Sequence, residues 1–294
     1  MTAQRYVVGY TATQSGDDAV ALGARLARST GAALDIVLVL PEEGRGAAVP
    51  PDPGYETFLR SRAEGWLAAG AAKVPNEVPH HVHVRFAESF AEGLVTAADE
   101  FGASLIVVGA AAGSRRGRCG LGSVGNELLH SSDVPVVLAP AGSSEVDGPV
   151  TRVTAMIGTR PGAEVLLEES VALAAEADAE LRLVSLVTVD LPASVDTGII
   201  RIAGAAHADQ VLTAAREALP GGASAEASVA RGDSIEDAVA HLDWQPGELV
   251  LVGSSRLAQP RRLFLGSTAA KMLRELPVPM IVVPRTRAQE GAQR

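Results

Sequence analysis

One segment of the sequence occurs twice, and this repeat constrains the fold more than any other feature. Residues 105–140 read LIVVGAAAGSRRGRCGLGSVGNELLHSSDVPVVLAP, and residues 249–284 read LVLVGSSRLAQPRRLFLGSTAAKMLRELPVPMIVVP. Gly109 of the first copy and Gly253 of the second lie 144 residues apart. Each copy combines an apolar run typical of a strand, a loop, a short helix and a second apolar run. In a chain of 294 residues, two such copies indicate two tandem domains of ordinary size.

Apolar runs alternate with amphipathic helical segments through both halves of the chain. The runs that predict strands are 6–10, 34–40, 82–86, 105–108 and 134–139, and then 153–157, 181–187, 226–230, 249–252 and 280–283. This alternation predicts an α/β fold in which each half forms a five-stranded parallel sheet with helices on both faces. The domain assignment that follows is 1–141 for domain 1, 142–151 for a polar linker, 152–285 for domain 2 and 286–294 for a tail.

Composition excludes several classes of function. The net charge of −10 argues against nucleic-acid binding, which requires a surplus of basic residues to neutralise phosphates. No apolar run approaches the roughly 20 residues of a membrane-spanning helix, so no membrane partner is expected. The first ten residues, MTAQRYVVGY, lack the pattern of a secretory signal. A cytoplasmic protein is therefore expected, and its single cysteine rules out an intrachain disulfide.

The loop of each repeat leads into a helix that begins at a Gly-Ser pair, 122–123 in the first copy and 266–267 in the second. A helix N-terminus carries free N–H groups and partial positive charge, which favour a phosphate. Arginines accompany both loops at matched places: Arg115, Arg116 and Arg118, then Arg256, Arg261 and Arg262. The same residues also suit a plain helix cap with solvated arginines. Physical chemistry alone leaves both interpretations open.

The order strand, G-x-x-G-x₉-G-[ST], helix, strand resembles the adenine-nucleotide loop of the universal stress protein family, over residues 5–140 and 152–284. The resemblance implies an adenine nucleotide alpha hydrolase-like sheet with strand order 3-2-1-4-5 in each domain. It also implies pseudo-twofold pairing of the domains through their fifth strands, Val134–Pro140 and Val278–Pro284, with a homodimer as a further possibility. An exposed edge strand needs such a partner. Many members of the family bind ATP and have no established turnover, so we expect neither an enzyme nor a metal site.

The resemblance also implies which residues contact the nucleotide. In domain 1 they are Thr11, Ala12, Val39, Gly109, Ala112, Gly113, Arg115, Gly122, Ser123 and Val124. In domain 2 a weaker set is Gly253, Arg256, Gly266, Ser267 and Thr268. The sequence departs from the family where Ala112 and Arg256 replace the second loop glycine. It departs again where Thr11 and Ile157 are aligned with an aspartate that follows strand one. We therefore expect weak ATP binding, mainly in domain 1.

Other motifs carry little weight. The G-x-G-x-x-G match at 120–125 does not follow a strand directly, as a dinucleotide site requires. The histidines at 80, 81 and 83 are interpreted as a solvated entry to a strand. Two functions stay open: a stress-response module that binds an adenine nucleotide, and a nucleotide-independent interaction module that acts through its dimer surface. ATP hydrolysis is least favoured, because neither loop shows a convincing general base.

Overall fold

Strands and helices alternate throughout the computed structural model, which describes residues 4–42, 53–158, 162–188, 198–219, 223–255 and 263–285. Domain 1 contains β1 (Arg5–Gly9), α1 (Gln14–Thr30), β2 (Ala33–Pro41), α2 (Pro53–Ala71), β3 (His80–Ala87), α3 (Phe90–Phe101), β4 (Leu105–Gly109), α4 (Ser123–Ser131) and β5 (Val136–Ala139). Domain 2 contains β6 (Arg152–Met156), α5 (Ala163–Glu176), β7 (Glu180–Thr188), α6 (Gly198–Glu217), β8 (Glu226–Gly232), α7 (Ile235–Ala240), β9 (Glu248–Gly253), α8 (Ser267–Glu275) and β10 (Met280–Val283). The predicted α/β class with tandem domains is confirmed.

The ten strands of the described chain form one sheet in the order β3-β2-β1-β4-β5-β10-β9-β6-β7-β8. Strands are parallel within each domain, whereas β5 and β10 pair antiparallel, with Met280 opposite Leu138 and Val282 opposite Val136. The antiparallel junction gives the two domains opposite strand directions. The carboxyl ends of the strands in domain 1 and in domain 2 therefore lie at opposite edges of the sheet.

Each face of the sheet carries an apolar layer that continues from one domain into the other. One layer contains Val8 and Leu26 of domain 1 with Val153 of domain 2, all fully buried. The layer on the other face combines Val7 of domain 1 with Val250 of domain 2. Burial on both faces explains why the strands are almost continuous runs of valine, leucine and isoleucine. The two domains consequently share their core instead of only touching.

Short local signals fix the helix ends. The Ser89 hydroxyl accepts a hydrogen bond from the Glu92 N–H at 3.0 Å, and Ser234 accepts one from Asp237 at the same distance. The Glu92 carboxylate accepts from the N–H of Glu88, the residue before the cap, at 3.1 Å. Both domains thus start their third helix with the paired caps that the S-x-x-[DE] spacing predicts.

The segment that follows β5 packs on domain 1 instead of spanning free space. Residues Ser143–Glu145 form a single 3₁₀ turn, and the Ser143 side chain is buried. The buried Asp18 carboxylate of α1 accepts from the backbone N–H groups of Gly142 and Ser144, both at 2.9 Å. These bonds anchor the predicted linker to α1. The predicted tail, 286–294, lies outside the described residues.

Both domains bury a charged cluster near the start of strand one. In domain 1, Asp35 binds the guanidinium of Arg5, and its Oδ1 lies 2.8 Å from His83 Nε2. The His83 ring also stacks on Phe101, with ring centroids 4.4 Å apart. The interpretation of these histidines as a solvated strand entry is therefore wrong for His83, because a buried carboxylate on the neighbouring strand holds it. The described residues contain no group of side chains suited to a metal ion.

In domain 2 the equivalent cluster is built around Glu248. Its carboxylate lies 2.6 Å from Arg152 and 2.5 Å from Arg182, and the Thr154 hydroxyl donates to it at 2.5 Å. Arg182 also lies over the Trp244 ring. Burial lowers the pKa of Arg182, and the neighbouring Glu248 opposes that shift. Two arginines here share one carboxylate, whereas the domain 1 cluster has one arginine.

Candidate functional site

The strand order places the candidate site of each domain where β1 and β4, or β6 and β9, lie side by side. In an open parallel sheet, ligands bind beyond the carboxyl ends of such strands, where the chain connections diverge to opposite faces. Each of these edges is followed by the repeated loop and a helix.

In domain 1, the first turn of α1 covers the end of β4. A Cβ atom added at Gly109 would collide with the carbonyl oxygen of Ser15, so the two backbones are in close contact. The Ser15 hydroxyl donates to the carbonyl of Ala110 at 2.6 Å and fastens the turn to the strand end. The space beside Gly109, where a phosphate was predicted, is therefore occupied by protein.

A tyrosine fills the adjacent space between α1 and α2. Tyr10 follows β1 and is only 3% exposed. Its ring lies so close to Gly70 of α2 that a Cβ there would be 2.7 Å from the ring. Lys73, which follows α2, has its Nζ 2.5 Å from the Asp17 carboxylate of α1. This ion pair joins α1 to the end of α2. Burial raises the pKa of Tyr10, and the charge of Asp17 adds to the shift.

The predicted phosphate loop of domain 1 folds back on itself. The N–H of Ala111 donates to the carbonyl of Gly120 at 2.8 Å, and the Ser114 hydroxyl donates to the carbonyl of Ala111 at 2.6 Å. Gly113 turns the chain with a φ of +79°, a conformation that favours glycine. These internal bonds occupy two donors, the N–H of Ala111 and the hydroxyl of Ser114, that a bound phosphate would otherwise contact.

The arginines of this loop are directed toward carboxylates. Arg116 forms an ion pair with Glu145, and Arg118 forms one with Glu275 of domain 2 at 3.3 Å. Arg115 is exposed. Arg116 and Arg118 therefore bind acidic residues that the fold brings close.

The remaining residues predicted for domain 1 lie around this filled edge. Thr11, Ala12, Ala112, Gly113 and Ser123 are exposed, Gly109, Gly122 and Val124 are partly buried, and Val39 is buried. The Val39 side chain packs against α3, where a Cβ at Gly93 would lie 2.6 Å from it. Helix α4 begins after Gly122 without a side-chain cap, so its first N–H groups remain available.

In domain 2 the same edge opens into a cleft of about 290 Å³. Among the described residues, a Cβ added at Gly253 would have only Leu166 nearby, at 3.9 Å. The described residues that line the cleft include Gly158, Gly162, Ser185, Leu186, His207, Gly253, Ser254, Gly266, Thr268 and Arg285. The structure therefore gathers three of the residues predicted for this domain, Gly253, Gly266 and Thr268. Ser267 is exposed on α8, and Arg256 lies outside the described residues.

The loop and helix start of domain 2 repeat the backbone geometry of domain 1. The N–H of Ser255 donates to the carbonyl of Phe264 at 2.8 Å, and the Phe264 N–H donates to the Ser254 hydroxyl at 2.8 Å. Helix α8 follows Gly266, again without a side-chain cap. Its uncapped N-terminus faces the cleft through Gly266 and Thr268, and such an end favours an anion.

The register of the strands corrects one alignment between the domains. The N–H of Ile157 donates to the carbonyl of Val184 at 2.8 Å, as the N–H of Tyr10 donates to Val37 at 2.8 Å. Ile157 therefore corresponds to Tyr10, and the residue equivalent to Thr11 is Gly158. The prediction that Ile157 replaces the aspartate after strand one was wrong by one position. A branched aliphatic side chain stands where domain 1 has a tyrosine ring.

A second cavity continues from the cleft between α5 and α6. Its volume is about 320 Å³, and it shares Ile157, Gly158 and His207 with the cleft. Leu167 and Val211 line its apolar walls. In domain 1 the corresponding helices are joined by Tyr10 and by the ion pair between Asp17 and Lys73. The extra room in domain 2 follows from the smaller side chain after strand one.

Comparison with known proteins decides the family. The sequence matches the Universal stress protein family over residues 2–140 and again over residues 150–284. The chain belongs to the universal stress protein family. Its two matched regions correspond to the two halves of the ten-stranded sheet.

Full-length relatives have the same tandem extent. Universal stress proteins of Mycobacterium tuberculosis and Mycobacterium bovis are each 26% identical over 296 residues, covering 95% of this chain and 99% of the relative. The crystal structure of a universal stress protein from Archaeoglobus fulgidus superposes with a TM-score of 0.61 at 17% identity, covering 98% of this chain and 97% of that one. At that identity the likeness shows the fold.

In this universal stress protein, the sequence analysis missed several residues of the open cleft. Arg285 directly follows the repeated strand, at the place where domain 1 has Ala141, and it packs against Gly162 at the start of α5. His207 reaches the cleft from α6. Comparing the ends of the two fifth strands would have identified Arg285 as a difference between the copies. Nothing in the helical pattern of α6 singled out His207.

None of the helices in the described ranges combines the length and apolar character needed to cross a membrane.

Proposed function

We propose that this universal stress protein is a regulatory module that binds an adenine nucleotide in the cleft of domain 2. The observation that carries the proposal is the open space beyond Gly253, which leads to the uncapped start of α8. The family resemblance suggests the ligand class. The difference between the two strand edges suggests which domain binds it.

The charges around the cleft suit a phosphate group. The first N–H groups of α8 supply hydrogen-bond donors, and the helix dipole adds partial positive charge. Thr268 and Arg285 line the same space, so a residue with a hydroxyl and a residue with a guanidinium border the cleft. Arginine binds phosphate in a two-pronged geometry. We assign the phosphates to this side of the cleft.

The apolar side of the cleft suits the adenosine. Met156, Ile157 and Leu186 lie at the ends of β6 and β7 and line the cavity. Gly158 supplies no carboxylate for the ribose, because it occupies the position equivalent to Thr11. Recognition of adenosine would then rest on apolar contact and backbone groups, and we expect modest affinity for the nucleoside part.

This proposal moves the main site from domain 1 to domain 2, opposite to the expectation from the loop motif. The loop of domain 1 matches the glycine spacing of the family motif slightly better than the loop of domain 2. However, Ser15 and Tyr10 fill the space that this motif would surround. Steric access has to precede any contribution from glycine, since a ligand cannot approach a backbone that another segment covers.

Isothermal titration of the full chain with ATP, ADP and cyclic AMP tests the proposal. We expect one site per chain, and we expect Arg285→Ala to weaken ATP binding by about tenfold, equivalent to the loss of one charged contact of about 1.4 kcal/mol. Arg115→Ala is the matched control, because it removes an exposed loop arginine of domain 1. Its affinity should equal that of the unmodified protein.

Two results would contradict the assignment. Loss of binding in Arg115→Ala, with binding retained in Arg285→Ala, would return the site to domain 1. An absence of heat and of thermal shift at millimolar ATP, ADP and cyclic AMP would favour the nucleotide-independent interaction module. Release of phosphate from ATP by the purified chain, abolished by Gly266→Val, would overturn the proposal that binding occurs without turnover.

A further inference from the structure

Arg25 of α1 is a buried cation at the junction of the two domains. It is 6% exposed, and one of its terminal nitrogens donates to the carbonyl of Pro246 in domain 2 at 3.2 Å. Its Nε is buried without a hydrogen-bond partner in the part of the chain that the structure describes. A buried guanidinium normally satisfies its donors, so this arrangement is incomplete.

The charge of Arg25 also lacks a counter-ion. Among the described residues, no carboxylate forms an ion pair with it, whereas the buried Arg152 and Arg182 share Glu248. Burial lowers the pKa of Arg25, and the nearby charge of Arg28 lowers it further. Buried charges are rarely left unpaired, because desolvation is costly without compensation. Something outside the protein chain can supply the missing negative charge.

A cavity of about 150 Å³ borders Arg25 at this junction. Its walls include the prolines Pro140, Pro246, Pro277 and Pro279, together with Arg116 and Glu145. Proline has no N–H, so the walls add no backbone donors at those positions. Glu145 is paired with Arg116, which leaves the charge of Arg25 as the one without a partner in this described group. We name this space the junction cavity.

We infer that the junction cavity binds a phosphate-sized oxyanion held by Arg25, with Arg116 as a second donor at its rim. The site is separate from the nucleotide cleft, because it lies beyond the carboxyl end of β5, at the edge opposite to the strand ends of domain 2. A bound oxyanion would join α1 and the loop of domain 1 to residues 277–279 of domain 2. It would therefore stabilise the pairing of the domains.

Thermal unfolding of the full chain in phosphate, in sulfate and in chloride at matched ionic strength tests this inference. With either oxyanion at tenfold its dissociation constant, the midpoint should rise by roughly 2–4 °C above the chloride value. Arg25→Met keeps the apolar stem and removes the charge. The rise should disappear when Arg25→Met is combined with Arg285→Ala, which removes the arginine of the nucleotide cleft, where phosphate and sulfate would also bind. Arg285→Ala, in the nucleotide cleft, should keep the rise, which separates this site from the proposed function.

The unfolding temperature in chloride, without phosphate or sulfate, gives a second test. In chloride, Arg25→Met should unfold at the same temperature as the unmodified protein or higher, because an uncompensated buried charge has been removed. A purely structural arginine would give a lower midpoint. The inference is overturned if phosphate and sulfate cause no rise in the unmodified protein, or if the double variant with Arg25→Met and Arg285→Ala keeps the rise. If Arg25→Met does not fold, the exposed Arg116→Ala decides: a reduced rise supports the site, and an unchanged rise overturns it.

Discussion

Domain 1 and domain 2 have the same strand order and the same uncapped helix after the loop, but their strand edges differ in access. In domain 1, Ser15 lies against Gly109, and Tyr10 fills the space beside it. In domain 2, Gly253 faces a cleft, and Ile157 takes the place of the tyrosine. Both copies contain the glycine loop. The difference shows that this loop can form a ligand site only where the turn after strand one does not cover the end of strand four.

The buried charged clusters differ in a related way. Domain 1 places its acid on strand two, where Asp35 binds Arg5, whose side chain is 34% exposed. Domain 2 places its acid on strand four, where Glu248 binds two arginines that are 7% and 5% exposed. The same region of the fold therefore holds a partly solvated cluster in one domain, where Asp35 also contacts His83, and a buried triad in the other. Their sensitivity to substitution should differ accordingly.

The largest expected effect comes from removing the acid of each cluster. Glu248→Gln should lower the free energy of unfolding by about 3–5 kcal/mol, because two buried arginines lose their counter-ion. Asp35→Asn should cost less, about 1–3 kcal/mol, because Arg5 can turn toward solvent. Urea denaturation of the full chain measures both. Equal losses would show that the two clusters are energetically alike.

A smaller difference is expected from matched glycine substitutions at the ends of β4 and β9. Gly109→Ala should destabilise the protein by about 1–3 kcal/mol, because its Cβ collides with the backbone of Ser15. Gly253→Ala should change stability by no more than about 0.5 kcal/mol, since its Cβ enters open space. Chemical denaturation gives the comparison. A large loss in Gly253→Ala would mean that the edge of domain 2 is also closed.

Exchanging the side chain after strand one tests whether it controls access. Ile157→Tyr should place a ring in the cleft of domain 2 as Tyr10 does in domain 1, and weaken ATP binding by about tenfold, or about 1.4 kcal/mol. Tyr10→Phe is the control and should leave the affinity unchanged. Titration calorimetry reports both constants. Unaltered ATP affinity in Ile157→Tyr would argue that nucleotide does not occupy this cleft.

The smallest effect concerns alkaline pH. Tyr6 of β1 corresponds to Val153 of β6, and burial raises the pKa of Tyr6 to about 12. A raised pKa means that the folded state favours the neutral phenol, so stability is complete below about pH 10 and falls as pH rises toward 12. At pH 10.5 the loss should be about 0.8 kcal/mol.

The control for this pH effect is Tyr6→Phe, which has no ionisable group at the site. It also loses the hydroxyl contact with Thr30, at 2.9 Å, so its absolute stability should be slightly lower. Its free energy of unfolding should nevertheless change less between pH 8 and 10.5 than that of the unmodified protein. Parallel pH profiles for the two proteins would show that folding does not shift the pKa of Tyr6.

Much of the fold was predictable because its signals are local or repeated. The apolar runs predicted strands, and the S-x-x-[DE] spacing predicted the helix starts at Ser89 and Ser234. The Gly-Ser pairs predicted the starts of α4 and α8. Each of these signals is a pattern of neighbouring residues, which the sequence shows directly.

The candidate site was predicted less well because its decisive contacts join distant segments. Ser15 reaches Ala110, and Arg118 reaches Glu275 in the other domain. The copies also do not keep one spacing throughout, since the loops are offset by 144 residues while Ile157 corresponds to Tyr10. The sequence alignment of the residues that follow strand one was therefore one position off, and no local pattern revealed that shift.

The sequence by itself determined the tandem α/β architecture and the helix starts at the Gly-Ser pairs, because both follow from patterns of neighbouring residues. Only the tertiary structure decided which strand edge is open, which arginines are paired, and that Arg25 is buried with no counter-ion among the described residues. The physical reason is that access and charge compensation depend on groups from different elements meeting in space. Two copies with one motif can therefore have the same fold and differ in what they can bind.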